Sequence, residues 1–285
     1  MATSSFLTEI QLGYNQFTKT EKKIADYVIQ NVDKVLFMSI SDLADACRVA
    51  DASVHRFCRT VGVKGYQEFK LKLSLSLSID EATDKADVAL ANVGNKTEEK
   101  IDEVLDGYIM ALKETRQLIN QDEVDRIVLL MLQARNIYFF GIGDSLLVAQ
   151  AARNKFLRIT NKVNCILDPH MQSMAASMAT EEDLIVFFSY SGSTKDNVYV
   201  AEIAKEAGAK IVAITRFLKS PLTVYAEAML VCGSNEGPLD GGSMGVKMSQ
   251  LFIVDVLYNE FYRRNKQECK ENRKKTSKAV VEKLY

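Results

Sequence analysis

From Val124 onward the chain alternates short apolar runs with stretches of helical periodicity, and this alternation limits it to a small set of folds. The runs stand at Asn136–Phe140, Val163–Leu167, Leu184–Phe188, Lys210–Ile214 and Met229–Cys232, with room for a helix in the gaps. Strands that are apolar on both faces must be covered on both faces, so the pattern predicts a mainly five-stranded parallel sheet, doubly wound, between layers of helices. In open sheets of this kind ligands bind beyond the carboxyl ends of the strands, where helix N-termini gather.

Two of the strand ends are unusual. Tyr138-Phe139-Phe140 runs into Gly141-Ile142-Gly143-Asp144-Ser145 and then a helical stretch from Leu146 to Ile159. A dinucleotide fingerprint would place a third glycine where Leu146 stands and an acid about 20 residues further on. Neither is present, and no cofactor is expected. The second end is richer: Val186-Phe187-Phe188 is followed by Ser189-Tyr190-Ser191-Gly192-Ser193-Thr194 before a helix that begins near Asp196. Four hydroxyls and a glycine between a buried strand and a helix N-terminus make a cradle of donors, and the positive end of the helix dipole attracts an anion. The alternative is a polar turn whose Ser and Thr serve only as caps.

Three further features lie downstream of the first strand. His170 follows Asp168-Pro169 on the same predicted rim, placed to touch a ligand there or to be a surface or capping histidine. The segment Gly233–Ser243 is a loop that either closes over a ligand or merely connects elements. Met244 to Phe261 is apolar almost all round and must be buried, in the core or against another subunit.

Composition removes several function classes. Lys and Arg number 36 against 37 Asp and Glu, so no general positive field surrounds the molecule and any nucleic-acid surface must be local. Five cysteines without CxxC spacing and two histidines far apart argue against a disulfide framework or a metal site. No apolar run approaches the about 20 residues that span a bilayer, and Met1–Ile10 lacks a secretion-signal pattern, so a cytoplasmic location and no membrane partner are expected.

Charge is unevenly spread. Ser53–Lys72 carries five basic residues against Glu68 alone, and Tyr262–Tyr285 is also basic, which suits a solvated helix end or frayed tail better than a binding role. Asp80–Lys100, rich in charge and small residues, suits a helical or flexible connection.

The N-terminal segment reads as short helices. Thr18 with Glu21, and Ser39 with Asp42, have capping-box spacing. Ile40, Leu43, Ala44 and Cys47 recur at helical spacing, as do Val54, Phe57, Cys58 and Val61 across the turn Arg48-Val49-Ala50-Asp51. The second helix shows Ser53, His55, Arg56, Arg59 and Thr60 on its outer faces, with Lys64 just beyond. This is the helix-turn-helix pattern, in which the second helix enters the DNA major groove and arginine pairs with guanine or phosphate. A plain helical hairpin with solvated charges has the same periodicity.

The order and spacing of TEKKIADYVIQN, SISDLADACRVADASVHRFCRTVG and GYQEFKLKL resemble the DNA-binding domain of the RpiR family of bacterial transcription regulators. That family usually has Ser where Ala50 stands, so either Asp51 caps the helix one position later or a cap worth about 1 kcal/mol is lost. GIGDS and SYSGSTKDNVYVAEIAKEAGAKIVAIT resemble the SIS, or sugar isomerase, domain. The resemblance assigns Ser189, Ser191 and Thr194, joined by Ser145, to the phosphate of a phosphosugar, with Gly192 permitting close backbone approach. It implies a helix-turn-helix domain over residues 1–79, a linker and leading helix over 80–121, a phosphosugar-binding domain over 122–262 and a basic tail over 263–285. The function so implied is a regulator, not an enzyme, whose binding to a double-stranded operator responds to a phosphosugar, acting as a homodimer or homotetramer. An SIS isomerase or etherase is the rival reading, but Glu202, Glu206, Glu236 and Asp240 sit in no recognised enzyme motif.

Overall fold

The computed structural model describes residues 6–85, 96–234 and 242–281. The chain divides into two compact units with the boundary between Leu105 and Asp106.

The N-terminal unit is helical: α1 (Phe6–Gly13), α2 (Lys19–Gln30), α3 (Val32–Leu36), α4 (Ile40–Cys47), α5 (Asp51–Thr60) and the long α6 (Tyr66–Lys85). Both expected capping boxes form: Glu21 accepts from the Thr18 amide at 2.8 Å and Asp42 from the Ser39 amide at 3.1 Å. Each cap aims an amphipathic helix at one core, in which Phe57 and Phe69 are fully buried and meet edge to face, flanked by Phe6 and Phe17. The helices of the predicted hairpin meet through Leu43, Ala44, Val54 and Cys58. Between them Arg48 adopts the left-handed conformation at φ +55°, closing α4.

The C-terminal unit begins within α7 (Lys96–Leu118), which spans the boundary, and continues with α8 (Gln121–Gln133). The elements then run β1 (Asn136–Gly141), α9 (Asp144–Phe156), β2 (Val163–Asn164), α10 (Pro169–Ser177), β3 (Asp183–Phe188), α11 (Lys195–Glu206), β4 (Lys210–Thr215), β5 (Ala228–Val231), α12 (Met244–Arg264) and α13 (Lys266–Val281). The five strands form one parallel sheet in the order β2-β1-β3-β4-β5. Strand alternation divides the core as expected. Leu184, Val186 and Phe188 face α8, α9 and α12, whereas Ile185 and Phe187 face α10 and α11.

Three expectations need correction. The second strand is only two residues long, because Leu167 is exposed and the carbonyl of Ile166 is taken by the Gln172 side chain at 2.7 Å rather than by a neighbouring strand. The helix α12 is not apolar all round: Ser249 and Gln250 are buried among Val246, Ile253, Val254, Leu257 and Phe261, and Met244 is exposed. Of the two forms expected of the basic stretch after residue 263, the frayed tail is wrong up to Val281. The stretch is the helix α13, docked by buried Cys269, by Asn272 donating to the Ile159 carbonyl at 3.0 Å and by Thr276 donating to the Arg158 carbonyl at 3.0 Å. Residues 86–95 of the expected linker and 235–241 of the expected loop lie outside the described residues. No helix among the described residues is long and apolar enough to cross a membrane.

Candidate functional site

The sheet order reverses direction between β1 and β3, the strands that carry the two unusual loops. The chain leaves β1 toward β2 on one side and returns to β3 on the other, which opens a crevice beyond their carboxyl ends. Gly141 pairs with Phe188 at the last rung, so Ile142–Ser145 and Ser189–Thr194 leave the sheet side by side.

Glycines let both loops turn tightly. A Cβ on Gly141 would lie 2.8 Å from the Ser145 backbone, and Gly143 has φ +58° and ψ −129°, a conformation open essentially to glycine. At Gly192, φ is +59° and an added Cβ would strike the Ser220 side chain. This loop is held from behind: the Ser189 amide donates to the Ile214 carbonyl at 3.0 Å, and Thr215 Oγ1 and the Arg216 amide each donate to the Tyr190 carbonyl at 3.0 Å.

The hydroxyls are not used as caps. Thr194 occupies the N-cap position of α11, but its side chain makes no capping bond, and Ser145 likewise spends its hydroxyl on no group among the described residues. Ser191 Oγ accepts from the Ser193 amide at 3.2 Å and keeps its proton available. Ser189 is 2% exposed and its Oγ has no partner. A buried polar atom of this kind is rare and calls for a partner beyond the protein atoms.

The structure adds residues that sequence reasoning missed. Gln172 on α10 is fully buried, its Nε2 donating to the carbonyls of Gly141 and Ile166 while Oε1 has no partner. Asn197, in the first turn of α11, has a buried and unpartnered Oδ1. Lys247, in the first turn of α12, brings its Nζ within 3.0 Å of Asp144 Oδ2 and so places a cation beside the first loop. A signal for Lys247 existed, since it is the only charged residue between Met244 and Ile253. Gln172 and Asn197 had none, because their burial depends on the packing of distant segments.

His170 is exposed at the second position of α10 and makes no hydrogen bond among the described residues. Asp168 caps that helix instead, accepting from the Met171 amide at 3.0 Å, and Pro169 takes the first turn. At the foot of the 233–243 loop, the amides of Gly233 and Ser234 donate to Thr115 Oγ1 and Glu114 Oε2 of α7, both at 2.9 Å, while Glu114 also pairs with Arg216 at 2.8 Å. Among the described residues no group of His, Cys, Asp and Glu could hold a metal ion.

In the N-terminal unit, α5 presents the expected surface. His55, Arg56 and Arg59 are exposed, Ser53 is half-buried, and Lys64 is exposed just beyond the helix. Arg56 reaches the Ser53 hydroxyl at 3.3 Å, whereas Arg59 and His55 make no hydrogen bond or ion pair among the described residues. Thr60, expected on the outer face, donates to Glu21 Oε1 at 2.7 Å and ties α5 to α2. The cap at Ala50 is lost: no side chain caps α5, and Asp51 instead accepts from the Ser41 hydroxyl at 2.6 Å, across the turn.

Known proteins share both halves of this architecture. Residues 4–80 match the helix-turn-helix domain of the RpiR family, and residues 130–260 match the SIS domain. Fold and matches together define a two-domain transcriptional regulator. An uncharacterised HTH-type transcriptional regulator of Haemophilus influenzae is 33% identical over 281 residues, covering 98% of each chain. The HTH-type transcriptional regulator HexR of Pseudomonas aeruginosa is 36% identical over 256 residues, covering 89% of this chain and 87% of its own. Among solved structures, NanR of Vibrio vulnificus complexed with ManNAc-6P matches with a TM-score of 0.88 at 30% identity, covering 98% of this chain and 99% of that one. The chain belongs to the RpiR family.

Proposed function

We propose that the protein is a DNA-binding regulator whose affinity for its operator is set by a phosphosugar held at the β1–β3 crevice. The observation that carries this reading is the set of unused polar groups on one rim: Ser189 Oγ and Gln172 Oε1 are buried without partners, and the Thr194 and Ser145 hydroxyls are uncommitted. The α11 N-terminus supplies the positive end of a helix dipole to a phosphate. Lys247, paired with Asp144, brings an ammonium donor beside the same loop. The solved NanR complex contains a sugar phosphate, which supports this ligand class.

In the proposed arrangement Ser189, Ser191, Thr194 and Ser145 hold the phosphate, and Gly192 lets the backbone approach it. His170 meets a sugar hydroxyl. On α5, Arg56 and Arg59 contact the DNA with Ser53, His55 and Lys64. The active species is a homo-oligomer, so that paired recognition helices meet a roughly palindromic site.

The test is a thermal-shift screen of the full chain against a panel of phosphosugars. A ligand that binds only the folded state adds RT ln(1 + [L]/Kd), about 2.7 kcal/mol at a hundredfold excess over Kd. Ser191→Asp should abolish the shift by repelling the dianion while the unliganded midpoint stays near that of the wild type. The same sugar without its phosphate should bind far more weakly, and equal calorimetric affinity for both forms would remove the phosphate from the site. Appearance of an isomerised or cleaved product during incubation would favour an enzyme.

A further inference from the structure

The helix α13 divides its surface sharply. Cys269, Asn272 and Thr276 form the face that docks on the Arg158–Ile159 turn. At 100° per residue, Lys270, Lys274 and Lys278 form a ridge on the opposite side, with Arg273 and Lys275 flanking it. All five are exposed, and none makes an ion pair among the described residues. Together with Tyr262 and Ser277 they border an open groove of about 540 Å³.

Lysines four residues apart on a helix repel one another, and surface helices commonly relieve this with an acid at the same spacing. Here the ridge repeats lysine at three successive i, i+4 positions, and Glu271 is the only acid between Lys270 and Val281. A chain with a formal net charge of −1 therefore concentrates positive charge along about 12 Å of one rigid helix. Lysine suits phosphate as a point charge and needs no base-specific geometry.

We propose that α13 is a second nucleic-acid surface, binding the phosphate backbone of duplex DNA without sequence preference. It supplements the recognition helix and rests on the reading of the chain as a DNA-binding protein. It would add affinity and salt dependence, and leave sequence choice to α5.

The experiment compares four full-length proteins on a mixed-sequence duplex of about 60 base pairs, titrated between about 50 and 200 mM salt. They are the wild type, Lys270→Gln/Lys274→Gln/Lys278→Gln, Arg56→Ala/Arg59→Ala, and a control with Lys100, Lys113 and Lys205 changed to Gln. Loss of three phosphate contacts should lower the slope of log K against log salt by about 2.7, so that the affinity deficit is about fortyfold larger at 50 mM than at 200 mM salt. The control should keep the wild-type slope. The α13 variant should remain folded by circular dichroism, because removing mutual repulsion does not disturb the docking face.

An unchanged slope and affinity in the α13 variant overturns the proposal, as does an equal loss in the control or failure of the wild type to bind the duplex at low salt. If the variant instead loses binding only to polyglutamate, the surface serves an acidic protein and the DNA assignment falls. The arginine variant separates the two ideas: if it alone loses binding to this duplex, α5 carries the phosphate contacts and the α13 surface falls, whereas loss in the α13 variant alone leaves that surface standing whatever α5 reads.

Discussion

Ser189 shows why a hydroxyl inside a protein is informative only when its partners are counted. Its amide extends the β3–β4 ladder by donating to Ile214, yet its Oγ is buried with nothing to bond. Folding alone gains nothing from that hydroxyl, since an unsatisfied buried polar group costs about 1–3 kcal/mol. Ser189→Ala should therefore leave the unfolding midpoint unchanged or raise it slightly, and weaken phosphosugar binding about tenfold, as calorimetry would read. A lowered midpoint with intact binding would make Ser189 a structural residue. The serines and Thr194 were visible in the sequence because they are contiguous and follow an apolar run. Gln172 and Asn197 were not, because each acquires its unpartnered oxygen only when a helix packs against a sheet encoded far away.

Caps and turns act at the scale of the element, and there local sequence was a good guide: Thr18–Glu21 and Ser39–Asp42 close as their spacing implies. The start of α5 is the exception, with Ala50 at the cap and Asp51 engaged by Ser41. Ala50→Ser should supply the absent cap and raise the stability of the N-terminal unit by about 0.5–1 kcal/mol in urea unfolding. Elements whose extent depends on distant partners were less legible. The second strand stops early because a glutamine takes its carbonyl, and α13 exists as a docked helix because the Arg158–Ile159 turn offers carbonyls to it.

The end of α12 adds a pH-dependent element. Arg263 bonds Glu260 at 2.6 and 2.8 Å and Arg264 bonds it at 2.5 Å, holding its carboxyl down at about 2, against an ordinary 4.5. Because the folded-state value is the lower one, this stability is fully present above about pH 4.5 and is lost as pH falls toward 2. Arg263 is 70% exposed, so water screens the cluster and its worth is about 1 kcal/mol rather than the full value of the shift. Glu260→Gln should cost about that much at pH 7 and nothing near pH 2, as denaturant titrations at the two pH values would show.

At the scale of the whole molecule, the division into a helical unit and a doubly wound sheet was legible because each half carries its own local periodicity. The β2-β1-β3-β4-β5 order was not, since alternation predicts parallel strands without ranking them. The boundary between the units falls within α7, and the part of α7 beyond it accepts from the Gly233 and Ser234 amides through Thr115 and Glu114. If a phosphosugar and an operator both bind this chain, their binding equilibria are linked. Linkage then demands reciprocity: if a phosphosugar changes operator affinity by a given factor, operator must change phosphosugar affinity by the same factor, with a coupling of about 1–3 kcal/mol. The measurement is sugar affinity with and without saturating operator, and operator affinity with and without saturating sugar. Glu114→Gln, which breaks the pair with Arg216 and weakens the bond to Ser234, should reduce that factor more than it reduces either affinity alone. Equal affinities in both comparisons, for a sugar shown to bind, would leave two independent sites on one chain, and the sign of any coupling would tell whether the sugar releases DNA or holds it.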